Sequence, residues 1–292
     1  MIEIKYGMMR KFITLGIILF CSAVILPQNY TYVNSIGKFK DASAFCINSA
    51  GIIYLTDAST DEVYKLDTLG SVLKYAGGYG WNQSEFDHPS SVFATPLNVY
   101  VSDKNNHRIQ RFDKDLNFIS QLYTRENDNQ SERFGYPLGC VTSLQGDLYV
   151  LDSENKRILK FDMFGNFSQN FGGYDAGIYA LSNPLQIAVS PSNNIYVLDD
   201  STKIVVFDQY GNGTGILSLE GKNRGMNIVF SNLTVNSVNG IYRSVLNSDN
   251  TKLSRLNLNG YGEGEKFISS LVFNGKLYVL TAKSILVFQA VK

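Results

Sequence analysis

The chain has little histidine and cysteine, and it has no excess of charge of either sign. Its 292 residues include two histidines, His88 and His107, and three cysteines. A zinc hydrolase or lyase usually needs three protein ligands from His, Cys, Asp or Glu, so two histidines disfavour a zinc site. Lys plus Arg and Asp plus Glu number 26 each, whereas nucleic-acid-binding proteins usually carry a basic surplus. We therefore expect neither a zinc site nor a nucleic-acid partner.

Common catalytic and phosphate-binding motifs are also missing. No G-x-S-x-G, C-x-x-C or Walker-type phosphate loop occurs in a meaningful context. The glycine pairs at 77–78 and 172–173 are interpreted as linker glycines. The apolar stretch that ends at Pro27 is shorter than the ~20 residues that a membrane-spanning helix needs. We expect no membrane span in the mature chain and no resident cofactor.

The N-terminus has the order of segments typical of a secretory signal peptide. A basic segment ending at Lys11 precedes an apolar run from Phe12 to Phe20, and small residues follow up to Ala23. We predict cleavage after Ala23, which removes residues 1–23 and directs the protein to a secreted, periplasmic or cell-surface location. A lipid-attachment role for Cys21 is the alternative, and the bulky side chain before it disfavours that role.

Internal repeats dominate the rest of the sequence. Six units share an apolar segment with a central tyrosine, and the marker tyrosines are Tyr54, Tyr100, Tyr149, Tyr196, Tyr242 and Tyr278. Four of the five spacings between them fall within the ~40–50-residue period of propeller blades, and the last, from Tyr242 to Tyr278, is shorter. We therefore predict that residues 24–292 form one all-β domain, a six-bladed β-propeller of four-stranded antiparallel blades.

The pattern within a unit predicts four strands. A short apolar strand such as Gln186–Val189 precedes the tyrosine strand, for example Ile195–Leu198, which is apolar throughout and so indicates burial on both faces. A polar hairpin leads to the third strand, such as Arg108–Asp113. An Asp-x-x-Gly turn, as at Asp162–Gly165, leads to the fourth strand, because Asp bonds the backbone ahead of it and Gly supplies a positive φ.

The two ends of the chain predict how the ring closes. The sixth unit ends just after its third strand, near Gln289, so its outer strand is missing. The segment Tyr30–Ile36 is a suitable substitute and is expected to pair beside residues 284–289. The fifth unit, Gly240–Asn257, leaves little room before Phe267 for a fourth strand and a linker. We expect blade five to be irregular.

One run of residues carries a specific resemblance. The sequence Asn106-His107-Arg108-Ile109-Gln110, with Tyr-Val-x-Asp before it and Phe-Asp after it, resembles the signature of NHL repeats. The resemblance covers roughly residues 30–289 and is strongest in units two to four. It implies a propeller that binds proteins, peptides or glycans. Some relatives bind RNA, which the zero net charge disfavours here, and the NHL-like amidating lyases use a histidine-coordinated metal that this chain has too few histidines to reproduce.

Two functions are compatible with these observations. The favoured one is a non-catalytic extracytoplasmic binding or scaffold propeller, expected to be a monomer. The alternative is a hydrolase, lactonase or lyase with a calcium site at the central channel. Asn and Asp are abundant enough for calcium, although no motif supports it.

The linkers between blades carry the most individual sequence and supply the candidate ligand-binding residues. These are Tyr79, Trp81, Arg125, Arg133 and Tyr174. Aromatic and Arg side chains are frequent anchors of binding surfaces, but the same residues also serve to cover the blade tops. Short turns form the opposite face, which we expect to offer little surface.

The aspartates that end the tyrosine strands are interpreted as structural, although four carboxylates near one face are also compatible with a metal site. They are Asp57, Asp103, Asp152 and Asp199, with Arg108 and Arg157 five residues after the second and third of them. Each carboxylate is expected to bond its own hairpin and, where present, the Arg. Cys46 and Cys140 fall on the first strands of units one and three, so no disulfide between them is expected.

Overall fold

The structure is a computed structural model that describes residues 28–246, 252–262 and 266–291. The predicted signal peptide, residues 1–23, lies outside this part of the chain. Within the described ranges the fold is all-β, with six sheets that are antiparallel apart from one short parallel strand pair, and two single-turn 3₁₀ helices at Gln130–Glu132 and Gly177–Tyr179. No helix among these residues has the length and apolar character to cross a membrane.

The sheets are the blades of a six-bladed propeller. The N-terminal strand is β1 (Asn29–Ile36). Blades one to three are β2 (Ala42–Ile47), β3 (Ile53–Asp57), β4 (Glu62–Leu66) and β5 (Val72–Gly77); β6 (Pro89–Ala94), β7 (Asn98–Asp103), β8 (Arg108–Asp113) and β9 (Phe118–Tyr123); and β10 (Pro137–Thr142), β11 (Leu148–Asp152), β12 (Arg157–Phe161) and β13 (Phe167–Phe171).

The remaining blades follow in the same order. They are β14 (Pro184–Val189), β15 (Ile195–Asp199), β16 (Lys203–Phe207) and β17 (Gly213–Ser218); β18 (Asn223–Val229), β19 (Asn232–Ser237), β20 (Gly240–Val245) and β21 (Ser254–Arg255), with β22 (Asn257–Asn259) next; and β23 (Ser269–Phe273), β24 (Lys276–Leu280) and β25 (Ile285–Ala290). The first strand of every blade lines a central cavity, and each first strand contacts those of its two neighbours, so the blades form a closed ring.

Burial between blades explains why the second strands are apolar. Every residue of β3, β11 and β15 is buried. The buried apolar side chains form six clusters, and each cluster is shared by two neighbouring blades. Full burial of a Val, Leu or Ile side chain contributes about 1.5–3 kcal/mol. The ring is therefore stabilised at six interfaces between neighbouring blades, and a single blade has no core of its own.

The predicted ring closure is confirmed. The N-terminal strand β1 pairs antiparallel with β25, from Tyr30 opposite Ala290 to Ile36 opposite Ile285, and so becomes the outer strand of blade six. It also pairs in parallel with β22 on its other edge, with Asn29 opposite Asn257. Blade six thus combines three strands from the C-terminal part of the chain with one strand from the N-terminal part.

Blade five is irregular as expected, but its strands were assigned wrongly from the sequence. Its second strand is β19, and Tyr242 lies on the third strand, β20. In blade five Thr234 occupies the position that the marker tyrosine has in the other repeats. The sequence pattern was therefore aligned on the next tyrosine along the chain, Tyr242, which lies one strand later. The outer strand β21 is short: only Tyr242 and Arg243 of β20 pair with it, opposite Arg255 and Ser254.

The two cysteines lie where the repeat placed them. Cys46 is on β2 in blade one and Cys140 is on β10 in blade three, and neither forms a disulfide. Burial raises the pKa of each thiol to about 12. Both side chains therefore remain protonated at neutral pH and act as small apolar residues of the inner strands.

A buried hydrogen bond joins the N-terminal strand to blade five. Tyr30 is fully buried, and its hydroxyl accepts a hydrogen bond of 3.0 Å from Nη1 of Arg243. Arg243 also donates to the side-chain oxygen of Asn232 through Nε at 3.0 Å. The guanidinium therefore links β1 to the second and third strands of blade five.

Replacing this hydroxyl should destabilise the closed ring. Tyr30→Phe keeps the buried ring but leaves a donor of Arg243 unsatisfied, so we expect the free energy of unfolding to fall by about 1–2 kcal/mol. Urea denaturation followed by circular dichroism measures this loss. Tyr32→Phe is the matched control on the same strand, where a change within about 0.5 kcal/mol is expected. Equal effects of the two substitutions would contradict the role of the hydroxyl.

Candidate functional site

One end of the propeller, here called the linker face, is formed by two kinds of segment. These are the linkers that lead into each first strand and the hairpins between second and third strands. Backbone hydrogen bonds tie them together: Asn105 N–H to Asp87 O at 3.1 Å, and Asp200 N–H to Asn183 O at 2.9 Å. The two kinds of segment therefore present one continuous surface.

The four aspartates that end the second strands hold the linkers in place. Each is buried, and each accepts hydrogen bonds from backbone N–H groups of the linker before its own first strand. The donors are Lys40 and Asp41 for Asp57, Asp87 for Asp103, Gly135 for Asp152, and Ser182 and Asn183 for Asp199. Three of the aspartates also form ion pairs, to Arg108, Arg157 and Lys203. The backbone of the linker is thus a hydrogen-bond partner of these aspartates that the sequence did not indicate.

Arg108 is a fully buried basic side chain of this face. Its guanidinium forms five hydrogen bonds: to Asp103 at 2.7 Å, to Gln121 at 2.8 Å, and to three linker carbonyls. Those carbonyls belong to Trp81, Asn82 and Glu85, at 2.6, 3.0 and 2.9 Å. All five donors of the fork are satisfied. Arg108 therefore fixes the linker that carries Trp81.

The structure divides the five candidate binding residues into two groups. Tyr79, Trp81 and Tyr174 are exposed by 77%, 51% and 97%. Trp81 packs edge-to-face on Tyr123 and lies 5.0 Å from the guanidinium carbon of Arg108. Tyr174 lies on the linker between blades three and four. The aromatic candidates are therefore spread over the face, whereas the two arginines share one cleft.

That cleft lies between blades two and three and has a volume of about 560 Å³. Its lining residues are Arg125, Gln130, Ser131, Arg133, Phe134, Glu154, Asn155 and Arg157. Arg125 forms a two-point ion pair with Glu154, at 2.7 and 3.1 Å. Sequence reasoning missed Glu154 and Asn155. Glu154 occupies a hairpin position that differs between units, and Asn155 repeats Asn106 of unit two, with each Asn donating to the Asp three residues before it.

His107 adjoins the cleft but has a structural role. Its Nδ1 accepts a hydrogen bond of 3.1 Å from the backbone N–H of Tyr136, and the two rings pack at 4.2 Å. Partial burial lowers the pKa of His107 below 6.5, and the nearby Arg125 lowers it further, while Glu154 opposes both effects. The neutral imidazole with its proton on Nε2 is therefore the form that fits this site.

The opposite end, here called the turn face, offers more surface than expected. It exposes large apolar side chains at Leu69, Leu97, Leu144, Met163, Phe164, Tyr210 and Phe230. The expectation of little surface there is therefore wrong. The turns extend as short loops whose central positions point away from the sheets, for example Phe164 at 81% exposure. These side chains supply matched controls for tests of the linker face.

The central cavity does not match the donor set of a calcium site. Its lining, drawn from the first strands, is largely apolar, and no carboxylate or histidine is among the described residues that line it. Gln186 already accepts the backbone N–H of Met226 at 2.6 Å. Ca²⁺ usually takes six to eight oxygen ligands. Throughout the described ranges, no three His, Cys, Asp or Glu side chains are grouped so as to hold a metal.

The carboxylate of Asp152 gives a first test of the linker attachment. It accepts hydrogen bonds from Gly135, Glu154 and Asn155, so Asp152→Ala should lower the free energy of unfolding by about 1–3 kcal/mol. Thermal and urea denaturation measure the loss. Asp128→Ala, at an exposed linker position, is the control and should change little. Loss of a binding activity with unchanged stability would contradict the structural role of Asp152.

His107 gives a second test. Because its pKa is lowered on folding, the unfolded chain binds the proton at higher pH, so stability is full above pH 6.5 and falls as the pH drops below it. We expect the His107 ring signal in an NMR titration to have a midpoint below 6.5. His88→Asn leaves one histidine signal and so assigns it. A midpoint at or above 6.5 would contradict the burial of this ring beside Arg125.

Comparisons by sequence identify three related proteins, while no protein-family model matches the chain. Protein brain tumor of Drosophila melanogaster is 31% identical over 140 residues, which are 47% of this chain and 13% of that protein. B-box type zinc finger protein ncl-1 of Caenorhabditis elegans is 31% identical over 139 residues, 47% of this chain and 16% of that protein. NHL repeat-containing protein 3 of Mus musculus is 25% identical over 147 residues, 46% and 41% of the two chains.

Solved structures with a similar fold include two lyases. Virginiamycin B lyase from Staphylococcus aureus is 14% identical, with a TM-score of 0.60 over 86% of this chain and 80% of that chain. A catalytically inactive variant with quinupristin is 15% identical, with a TM-score of 0.62 over 91% and 95%. A streptogramin B lyase is 11% identical, with a TM-score of 0.59 over 89% and 96%. At these identities the similarity concerns the fold alone.

The chain spans less than half the length of each related protein, between 13% and 41%. The comparisons therefore concern the propeller and leave the other parts of those proteins aside. The chain is a six-bladed β-propeller related by sequence to three proteins, one of which is named for its NHL repeats.

Proposed function

We propose that this chain is an NHL-type propeller that acts outside the cytoplasm as a monomeric, non-catalytic binding module, with its ligand on the linker face. The ligand class is a protein, peptide or glycan. The observation that carries the proposal is that the linker face exposes aromatic and guanidinium groups on loops whose conformation is fixed by buried ion pairs. The N-terminal signal pattern supports the location.

The rigidity of the loops supports binding. Arg108 and Asp103 are 1% and 0% exposed in their side chains, and together they hold the linker that carries Tyr79 and Trp81. Loops that are already ordered lose less conformational entropy when a ligand binds. The described linkers therefore have the fixed geometry that a recognition surface needs, and their exposed aromatics have the chemistry of binding anchors.

The sequence relatives support the NHL assignment. Their similarity extends over nearly half of this chain, and the name of the mouse protein includes the repeat. The run Asn106–Gln110, which carries the resemblance, folds as the hairpin and third strand of blade two, with Arg108 at its structural centre. In this chain the signature residue Arg108 therefore fixes a linker. This role agrees with the interpretation that the residues shared between repeats stabilise the fold.

The alternative of a calcium-dependent hydrolase, lactonase or lyase is tested by metal analysis. Plasma emission spectrometry of the purified protein, dialysed against micromolar calcium, should find well under one calcium per chain. A stoichiometric ion that raises the melting temperature would overturn the non-catalytic proposal, because binding to the folded state alone stabilises it.

Two exposed aromatics on opposite faces give a matched test of the proposed surface. A ligand found by screening the purified propeller against peptide and glycan arrays should lose about fivefold or more affinity with Tyr174→Ala or Trp81→Ala, and Arg133→Ala should weaken binding as well. Phe164→Ala removes a similar area from the turn face and should leave the affinity unchanged. Substitutions at 192–194 should also have no effect.

Surface plasmon resonance measures these affinities, and thermal melts verify that each variant is folded. Trp81→Ala also removes a contact with Arg108, so Tyr174→Ala is the cleaner of the two variants. The reverse pattern, in which Phe164→Ala weakens binding and Tyr174→Ala does not, would place recognition on the turn face and overturn the proposal.

A further inference from the structure

The cleft between blades two and three combines three guanidinium groups with one exposed carboxylate. Arg125, Arg133 and Arg157 line it together with Glu154. The carboxylate of Asp152 lies buried beneath, where its side chain is fully shielded from solvent. The groups that a ligand can reach therefore carry a positive surplus, although the chain as a whole has no net charge.

The three arginines differ in how far the protein already uses them. Arg157 contacts Asp152 at 3.4 Å and donates to the carbonyl oxygens of Arg133 and Gln130 at 2.8 and 3.3 Å, so its donors serve the linker. Arg133 donates through Nε to the carbonyl of Asn127 at 2.6 Å. Within the described ranges no protein acceptor contacts the two terminal nitrogens of Arg133, and no carboxylate pairs with it. The terminal nitrogens Nη1 and Nη2 of Arg133 are therefore available to a ligand in the cleft.

Arg125 is paired, but with an exchangeable partner. The side chains of Arg125 and Glu154 are 37% and 39% exposed, and exposed ion pairs contribute little net stability. The pair lies against the backbone of Gly135, where a methyl group would collide with the carboxylate of Glu154. An incoming carboxylate can replace Glu154 on this flat fork, because Arg binds carboxylates through two parallel hydrogen bonds.

The linker that carries Arg133 is held in one conformation. The Asn129 side chain accepts the backbone N–H of Ser131 at 3.0 Å, and Glu132 accepts the side-chain amides of Asn127 and Asn129 at 3.0 Å each. The next residue, Phe134, is buried, and its N–H bonds Thr124 at 3.1 Å. The position of Arg133 is therefore fixed before any ligand arrives.

We propose that this cleft binds the side-chain carboxylates of an acidic peptide segment, with Arg133 and Arg125 as the two recognition groups. This inference rests on the proposed function and names the ligand chemistry for one part of the linker face. Arg clusters on a rigid surface are a common means of recognising acidic motifs. Single-stranded nucleic acid usually also needs exposed aromatic rings for base stacking. Among the described residues that line the cleft the one aromatic side chain is Phe134, which is 1% exposed, and the ring of Tyr136 beside Arg125 is packed against His107.

The test measures binding of a fluorescein-labelled octapeptide of alternating Gly and Glu by fluorescence anisotropy. The same peptide with Gln in place of Glu is the neutral control. The folded propeller should bind the Glu peptide at 50 mM salt and more weakly at 200 mM, because exposed charges are screened. Binding of both peptides with equal affinity would overturn the proposal.

Three variants separate the roles of the charges. Arg133→Ala should weaken binding of the Glu peptide by about tenfold, or about 1.4 kcal/mol. Glu154→Gln removes the internal competitor and should strengthen binding by about threefold. Arg224→Ala, at an exposed position outside the cleft, removes the same charge elsewhere and should change the affinity by less than about twofold. An Arg133→Ala variant with wild-type affinity, or equal losses for Arg133→Ala and Arg224→Ala, would overturn the proposal.

Two further probes decide the class of ligand. A sulfated octasaccharide and a single-stranded DNA octamer are titrated under the same conditions. Tighter, Arg133-dependent binding of either one would show that the cleft is not a peptide site. If the Glu peptide fails while an array ligand still depends on Tyr174, only this inference fails. If no ligand depends on the linker face, the proposed function fails as well.

Discussion

The architecture of the linker face depends on one repeated interaction, the buried aspartate that ends a second strand and accepts N–H groups from the preceding linker. At Asp57, Asp103, Asp152 and Asp199 the carboxylate joins the second strand of a blade to the linker that arrives from the preceding segment of the chain. A buried carboxylate without these donors would be strongly unfavourable. The same contact therefore fixes the loop and satisfies the charge. Blade five has Ser237 at the corresponding position, opposite Asn223, where blades two to four place Asp opposite Pro.

This repetition explains what the sequence could predict. The number of blades, the four strands of each repeat and the closing role of β1 follow from apolar periodicity and from the missing outer strand at the C-terminus. Blade five was misassigned because its second strand, Asn232–Ser237, carries neither the tyrosine nor the aspartate. Its pairing with β18 comes instead from burial: Leu233, Val235 and Met226 pack against blade four. Such burial depends on neighbours in space, and in blade five it is not marked by the tyrosine and aspartate that identify the second strands of blades one to four.

The candidate site was only partly predictable for a related reason. Arg125 and Arg133 stand out as charged residues in a linker, but the cleft also needs Glu154 from the hairpin of the next blade. The Asp152 carboxylate accepts the N–H groups of both Gly135 and Glu154, and so holds the linker that follows Arg125 beside the hairpin that carries Glu154. In the sequence alone, each of these charged residues resembles an ordinary solvated surface group. Only the fold brings them to 2.7 Å and leaves Arg133 without a carboxylate among the described residues.

The position of β1 between β25 and β22 has a consequence for biosynthesis. This strand is among the first parts of the fold to be made, yet both of its partners, Asn257–Asn259 and Ile285–Ala290, come from the far end of the chain. At ~5–20 residues per second, β25 is synthesised ~10–50 s after β1. Until then β1 is a strand with two open edges, which is a recognised risk for aggregation. Closure of the ring by β1 therefore has to follow the synthesis of β25, which makes it a late and highly non-local event.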